Sequence, residues 1–325
     1  MKILITLTYY RPHTSGLTIY AERLARALVD RGHEVVVLTS RFDESLPAEE
    51  DLHGVKVVRL PVGFRISKGV IMPSLPFVIW KYAAWADVVN LHMPQFDAAY
   101  ISVISKLLGK PVVLTYQCDL KLPSGLNHKI ANVVSNMVNN VAALASDAIA
   151  SITQDYADHS YFLQRYKNKV RPIKAPIQIK QIEKSTIETF KQKHSVKEDQ
   201  PIIGILARLA SEKGVEYLVW AIPEILKRFP KARVLYVGPY KNLLGEEKYA
   251  ERLMPLIEKL GDNWQFLGNI PDEELTAFLH TSDVLVLPSI NSTEAYGIVQ
   301  IEAMMCGTPV AASNLPGVRI PVQAS

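Results

Sequence analysis

Short runs rich in β-branched residues alternate with longer stretches of helical periodicity almost from end to end of this chain, and that alternation constrains the fold more than any other feature. Before residue 176 the runs are KILITLTY, EVVVLTS, VKVVRLP, DVVNLHM, PVVLTYQ, DAIASIT and KVRPIKAP. The segments between most of them are too long and too helical for hairpins. Such connections make successive strands parallel and cover the sheet with helices. The clearest helix is IYAERLARALVDRG, where Ile19, Leu24, Ala27 and Leu28 share one face and Gly32 ends the run.

At residue 177 the texture changes. IQIKQIEKSTIETFKQKHSVKEDQP is polar and charge-rich and reads as an interdomain connection over 177–200. The alternation then restarts with strands IIGILAR, ARVLYVG, WQFLG, DVLVLPS and PVAAS. The expected fold class is α/β, with two doubly wound parallel-sheet (Rossmann-like) domains, 1–176 and 201–325, facing a cleft. Sheets of this kind bind ligands beyond the carboxyl ends of their strands. The last residues, LPGVRIPVQAS, follow a strand where further edge elements are expected, so the second domain reads as incomplete and the sequence as C-terminally truncated.

Composition narrows the function classes. With 48 % apolar and 21 % charged residues among 325, the chain packs as a globular protein. Its net charge of +4 is uneven: residues 1–175 carry 20 Lys and Arg against 14 Asp and Glu, the remainder 16 against 18. The basic first half favours an anionic partner or membrane surface, and nothing points to nucleic acid. Cys118 and Cys306 fit neither a disulfide nor a zinc spacing, which suits a reduced cytoplasmic compartment. MKILITLTYY reads as a first strand rather than a signal segment. The apolar window VIMPSLPFVIWKYAAWADVVNLHM is broken by Pro73, Pro76, Lys81 and Asp87 and cannot span a bilayer as one helix.

Two stretches carry chemistry. In GILARLASEKGVEYLVWA, Arg208 leaves an apolar strand, Lys213 follows, and Gly214 opens a helix. Two cations beside a helix N-terminus make an anion site, although solvated loop side chains fit the same letters. In STEAYGIVQIEAMMCGTPV, Glu294 precedes a helix, Gly297 permits close backbone approach, and Glu302 lies about two turns further on. A carboxylate accepts hydrogen bonds from vicinal hydroxyls, as in ribose recognition. Each glutamate alone also fits a solvated helix residue; the combination with two cations favours a sugar nucleotide. Neither GxGxxG nor GxxxxGK[ST] occurs where a dinucleotide or P-loop site needs it, which disfavours an NAD oxidoreductase.

GILARLASEKGVEYLVWA, FLGNIPDEELTAFLHTSDVLVLPS and EAYGIVQIEAMMCGTPVAASNLPGV, in this order, resemble the second domain of family 4 retaining glycosyltransferases of the GT-B fold. The Glu-x7-Glu spacing of Glu294 and Glu302 is similar to that family's signature. The resemblance implies that Arg208 and Lys213 hold the donor diphosphate, Glu294 the donor sugar and Glu302 the ribose. It also implies that backbone at Asn269 and Ile270 cradles the base, and that Ala295, Tyr296, Gly297 and Ile298 line the donor site with Glu294. Glu294, Arg208 and Lys213 are then the catalytic residues. YYRPHTSGLTIYAERLARAL resembles the family's glycine-rich first loop, with Gly16 approaching the phosphate and sugar.

Two departures stand out. The family loop often has adjacent glycines where this chain has Ser15-Gly16, and a family histidine is replaced by Gln117, which cannot shuttle a proton. His92, Gln117 and Asp119 are the acceptor-side candidates, although a histidine at a strand end also fits a structural role. The expected activity is hexosyl transfer from a nucleotide sugar to a hydroxyl acceptor, metal-independent and without cofactor. The acceptor is a lipid-linked or cell-surface glycan precursor. Residues 63–85 combine Arg65, Lys68 and Lys81 with Phe64, Phe77, Trp80, Tyr82 and Trp85, which suits a helix lying on an anionic membrane at the inner face, or equally a crossover helix packed on the sheet. A GT-B-like sugar-nucleotide epimerase and a catalytically weak nucleotide-sugar-binding remnant are the alternatives.

Overall fold

The computed structural model describes residues 1–66, 69–119, 126–243 and 245–325 of the chain. Two compact units result, Met1–Pro176 and Ile177–Ser325.

The first unit runs β1 (Lys2–Thr6), α1 (Gly16–Val29), β2 (Glu34–Arg41), β3 (Glu49–Leu52), β4 (Val55–Pro61), β5 (Phe64–Ile66), β6 (Gly69–Ile71), α2 (Leu75–Trp85), β7 (Val88–Met93), α3 (Ala98–Leu107), β8 (Val112–Tyr116), α4 (Leu126–Ala145), β9 (Ala148–Ser151), α5 (Gln154–His159) and β10 (Val170–Pro172). Its main sheet has the order β10-β9-β8-β7-β1-β2-β4-β3, parallel except for β3 against β4. Ile3, Leu4 and Ile5 of β1 are all buried, as a strand covered on both faces requires. Every run expected as a strand forms one.

The inward side of helix α1 combines an expected residue with smaller ones: Leu28 packs on the same core cluster as Ala21 and Ala25. Thr18, Tyr20, Ala21 and Ala25 are buried, while Ile19, Leu24 and Ala27 are only partly covered. Small side chains at 21 and 25 let the helix backbone approach the sheet closely. Its start is fixed by a reciprocal cap: Ser15 Oγ accepts from Thr18 N–H at 3.3 Å, and Thr18 Oγ1 accepts from Ser15 N–H at 2.8 Å. The segment 63–85 is not one helix. It forms the β5–β6 hairpin followed by α2, because Pro73 and Pro76 confine the helix to the residues after Ser74. Lys68 lies outside the described residues.

The second unit runs α6 (Lys184–Lys193), β11 (Ile202–Leu206), α7 (Val215–Arg228), β12 (Arg233–Val237), α8 (Glu247–Glu258), β13 (Trp264–Gly268), α9 (Asp272–Thr281), β14 (Val284–Leu287), α10 (Ile298–Met305), β15 (Val310–Ala312) and α11 (Arg319–Gln323). All five strands are parallel, in the order β13-β12-β11-β14-β15. Residues 177–200, read from sequence as a connection, contain α6, which packs against α9 and is counted with this unit. Phe190 of α6 is 2 % exposed and shares a cluster with Ile202, Leu235, Phe278 and Leu285. Burying that ring stabilises the unit by about 2 kcal/mol. Among the described residues no helix is long and apolar enough to cross a membrane.

Candidate functional site

In the second sheet the strand order reverses between β11 and β14, which lie side by side. Loops that leave the carboxyl ends of such a pair diverge and open a crevice between them. Arg208 and Lys213 sit on the loop after β11, and Glu294 on the loop after β14. The two loops are tied together: Ile290 N–H donates to Glu212 O at 3.0 Å. Gly214 makes the close approach possible. It has φ +60°, and a Cβ there would fall 2.3 Å from Pro288 O.

The outcome is direct contact between two residues 81 positions apart: Lys213 Nζ lies 2.6 Å from Glu294 Oε2, with side chains 22 % and 13 % exposed. Arg208 forms an ion pair with Glu212, one turn away in sequence. Neither expected cation is therefore a free loop side chain, and each has a carboxylate partner.

Helix α10 starts at Gly297, whose φ is +76° and where a Cβ would lie 2.3 Å from Leu287 Cδ2. No side chain caps α10. The first-turn N–H groups, those of Ile298 and Val299, are the kind a helix leaves for an anion. Buried Gln300 holds the approach, its Nε2 donating to Tyr296 O at 2.5 Å and Val318 O at 3.0 Å. Ala295 and Tyr296 are buried and Ile298 is half-buried. Glu302 is 7 % exposed within α10. Burial, together with the Glu302 charge, pushes the Cys306 thiol up to about 11, so that cysteine stays protonated at neutral pH. Asn269 is exposed and Ile270 half-buried, just past β13.

The start of α7 corrects one expectation. The Val215 N–H is not free for an anion, because it donates to the Tyr249 hydroxyl at 3.1 Å. Tyr249 passes its own proton toward Glu216 Oε2 at 2.5 Å, and Arg252 donates to Glu216 Oε1 at 3.2 Å. Glu246 Oε2 accepts from Ser211 N–H at 2.9 Å. Sequence reasoning missed Glu212, Glu216, Glu246 and Tyr249. Glu212, four residues from Arg208, was visible as a spacing; the others act across more than thirty residues and leave no local signal.

The first sheet reverses between β1 and β7. Gly16 follows the loop after β1, and a Cβ there meets nothing within 4 Å, so the protein's own packing does not call for glycine. His92, at the end of β7, is completely buried. Its Nε2–H donates to Asn90 Oδ1 at 2.9 Å, an orientation fixed because Asn90 Nδ2 donates to Thr115 Oγ1 at 2.8 Å; Nδ1 accepts from Gln117 Nε2 at 3.4 Å. Burial lowers the His92 pKa to about 3, so the ring is neutral and holds Gln117. Asp119 Oδ1 accepts from the Tyr116 hydroxyl at 2.7 Å and Ser160 Oγ at 2.8 Å, and is engaged within this unit. Among the described residues no group of three or more His, Cys, Asp or Glu is placed to hold a metal ion.

Two doubly wound parallel sheets in succession are the architecture of the GT-B fold. Residues 15–175 match the family described as glycosyl transferase 4-like domain, and residues 186–323 the family glycosyl transferases group 1. The chain belongs to the family-4 type of GT-B glycosyltransferases. It is 28 % identical to an uncharacterised glycosyltransferase of Methanocaldococcus jannaschii, over 98 % of this chain and 81 % of that one. It is 27 % identical to a phosphatidyl-myo-inositol mannosyltransferase of Propionibacterium freudenreichii, over 97 % and 77 %. Its structure is similar to that of HepE from Anabaena in complex with UDP and glucose, with a TM-score of 0.74, 20 % identity, and coverage of 98 % and 82 %.

Proposed function

We propose that this glycosyltransferase transfers a hexose from a nucleoside-diphosphate sugar to a hydroxyl acceptor, with retention of anomeric configuration and without a metal. The observation that carries the donor site is the convergence of Lys213, Glu294 and the uncapped start of α10 at the reversal of the second sheet. Lys213 and Arg208 take the diphosphate, Glu294 the sugar hydroxyls and Glu302 the ribose; Asn269 and Ile270 flank the base. Charge grows on the leaving phosphate as the glycosidic bond breaks, so fixed cations there stabilise the transition state more than the ground state. They take the role that a metal has in other glycosyltransferases, and full rate in a chelator is the check. The acceptor hydroxyl enters on the face that the diphosphate leaves.

A lipid-linked acceptor is supported by the surface of the first unit. Phe77 of α2 is 80 % exposed, Trp80 43 %, and Leu107 on the adjoining α3 70 %. The helices are joined where the Tyr100 hydroxyl donates to Pro76 O at 2.8 Å. Lys81 is exposed beside them, in a half of the chain that is net basic. Aromatic rings with flanking cations suit an anionic lipid surface, which supports a peripheral position at a cytoplasmic membrane face.

The test is a panel of nucleotide sugars. A ligand at a hundred times its dissociation constant adds about 2.7 kcal/mol of stability. The stabilising donor is then incubated with lipid and soluble acceptors and the anomeric product determined. Stabilisation by none of the donors removes the reading, and an epimerised donor with no transfer replaces it with an epimerase.

A further inference from the structure

We propose that Glu246 and Tyr249, at the start of α8, are positioning residues that set the Lys213 ammonium for the donor diphosphate. The inference rests on the assignment of Lys213 made above.

Lys213 sits in the middle of the segment 211–215, whose other backbone bonds include Lys213 N–H to Ala210 O at 2.9 Å, Gly214 N–H to Ser211 O at 3.3 Å and the tie from Ile290 N–H to Glu212 O at 3.0 Å. Glu246, the residue just before α8, and Tyr249, in its first turn, grip this segment on both sides of Lys213. Glu246 holds the N–H of Ser211, two residues before it, and Tyr249 that of Val215, two residues after it. The grip is buried, with Glu246, Tyr249 and Glu216 at 5 %, 7 % and 8 % exposure.

The Tyr249 hydroxyl also satisfies the buried Val215 N–H, and the positioning role rests on the two contacts that flank Lys213. Tyr249 belongs to an apolar stripe with Leu253 and Ile257, where phenylalanine would pack as well without a hydroxyl to satisfy. The hydroxyl spends both its hydrogen-bonding roles at the Lys213 segment, accepting from Val215 N–H and donating to Glu216. Buried charges such as Glu246 and Glu216 are weak sources of stability compared with apolar packing. Displacing a reacting group by a small fraction of its reach is costly, because preorganised electrostatics depends on fixed distance.

The experiment is a double-mutant cycle read as affinity for a nucleoside diphosphate. The probe is whichever of UDP, GDP, ADP and dTDP most stabilises the wild type, titrated by calorimetry well below each variant's unfolding temperature. K213A weakens binding at least about tenfold. Y249F and E246A each weaken it about threefold to tenfold when Lys213 is present, and less than about twofold in the K213A background, because their effect passes through that side chain. E246Q, which keeps an acceptor oxygen, recovers most of the loss seen in E246A. Equal losses in both backgrounds overturn the positioning role and leave a general effect on the fold. If Y249F does not fold, the Glu246 variants complete the same cycle. Wild-type affinity in K213A, or no binding by any of the four nucleotides, overturns the donor-site assignment first and the positioning role with it.

Discussion

Lys213 Nζ lies 2.6 Å from Glu294 Oε2, so the cation assigned to the leaving diphosphate is held by the carboxylate assigned to the sugar. A diphosphate draws the ammonium by charge, and Glu294 then has lone pairs for sugar hydroxyls. Lys213→Ala lowers turnover by about 10²- to 10³-fold, the loss typical of removing one preorganised donor. Steady-state kinetics with the identified donor decide it; retention of more than half the wild-type turnover rules the assignment out.

Glu294→Gln separates the two roles. Removing the carboxylate charge frees Lys213 for phosphate, so nucleoside-diphosphate affinity holds or tightens, while transfer falls because the sugar loses its charged acceptor. Calorimetric titration with the nucleoside diphosphate checks the first half, and product formation the second. Weaker diphosphate binding in this variant would contradict the assigned division of labour.

The glycines divide by physical role. Gly214→Ala places a Cβ 2.3 Å from Pro288 O at a φ of +60°; it destabilises by about 1 to 3 kcal/mol and separates the two loops of the site. Gly16→Ala meets nothing in the protein. Its melting temperature stays within a few degrees of wild type, and a rise in the KM for donor would support the role that the family resemblance implies for Gly16. A Gly16 variant that is unstable yet kinetically normal would reverse this assignment.

The fold was legible because most of its parallel strands are buried and written as apolar runs, and all twelve runs expected as strands form them. The edge strand β3 and the hairpin β5–β6 were not: EEDL and FRI lack the apolar density of a buried strand. Helix α6 was hidden because Ile187 and Phe190 are set among Lys and Glu, and a narrow apolar stripe suffices when it packs on one neighbour. The family motifs identified Arg208, Lys213, Glu294 and Glu302 as candidates, but not that Lys213 and Glu294 bind each other. That pairing depends on loop packing at Gly214 and Ile290, which only the folded sheet supplies. His92 was read as an acceptor-side candidate; in the structure it is completely buried, with the ring of Tyr20 of α1 5.6 Å from the imidazole.

Phe77→Ser combined with Trp80→Ser tests the lipid surface. Phe77 is 80 % exposed and Trp80 43 %, so stability falls by about 0.5 kcal/mol at the first site and by about 1 to 2 kcal/mol at the second. Co-sedimentation with phosphatidylglycerol-containing vesicles falls severalfold, and wild-type binding weakens with salt. Wild-type binding that is indifferent to both anionic lipid and salt would dismiss the membrane role.

Asp97 and His92 give the fold two opposed acid responses. Burial raises Asp97 from 3.8 to about 6, and its Oδ2 has no hydrogen-bond partner to offset that. The native state therefore keeps a proton on Asp97 that the unfolded chain has already lost. The stability this contributes is fully present below 3.8 and lost as pH rises through about 6. Burial lowers His92 from 6.5 to about 3, so the unfolded chain takes up a proton that the native ring refuses, and stability is lost as pH falls below 6.5. Asp97→Asn removes only the first response. At pH 7.5 the variant is more stable than wild type by about 1 to 2 kcal/mol, after allowance for the partial exposure of the carboxyl, and near pH 4 that gain disappears. In the variant the His92 response is no longer offset, so stability falls more steeply between pH 6.5 and 4 than in wild type. Denaturant melts at four or five pH values measure both slopes. A gain that does not vary with pH would show that Asp97 is not charged against its burial in the native protein.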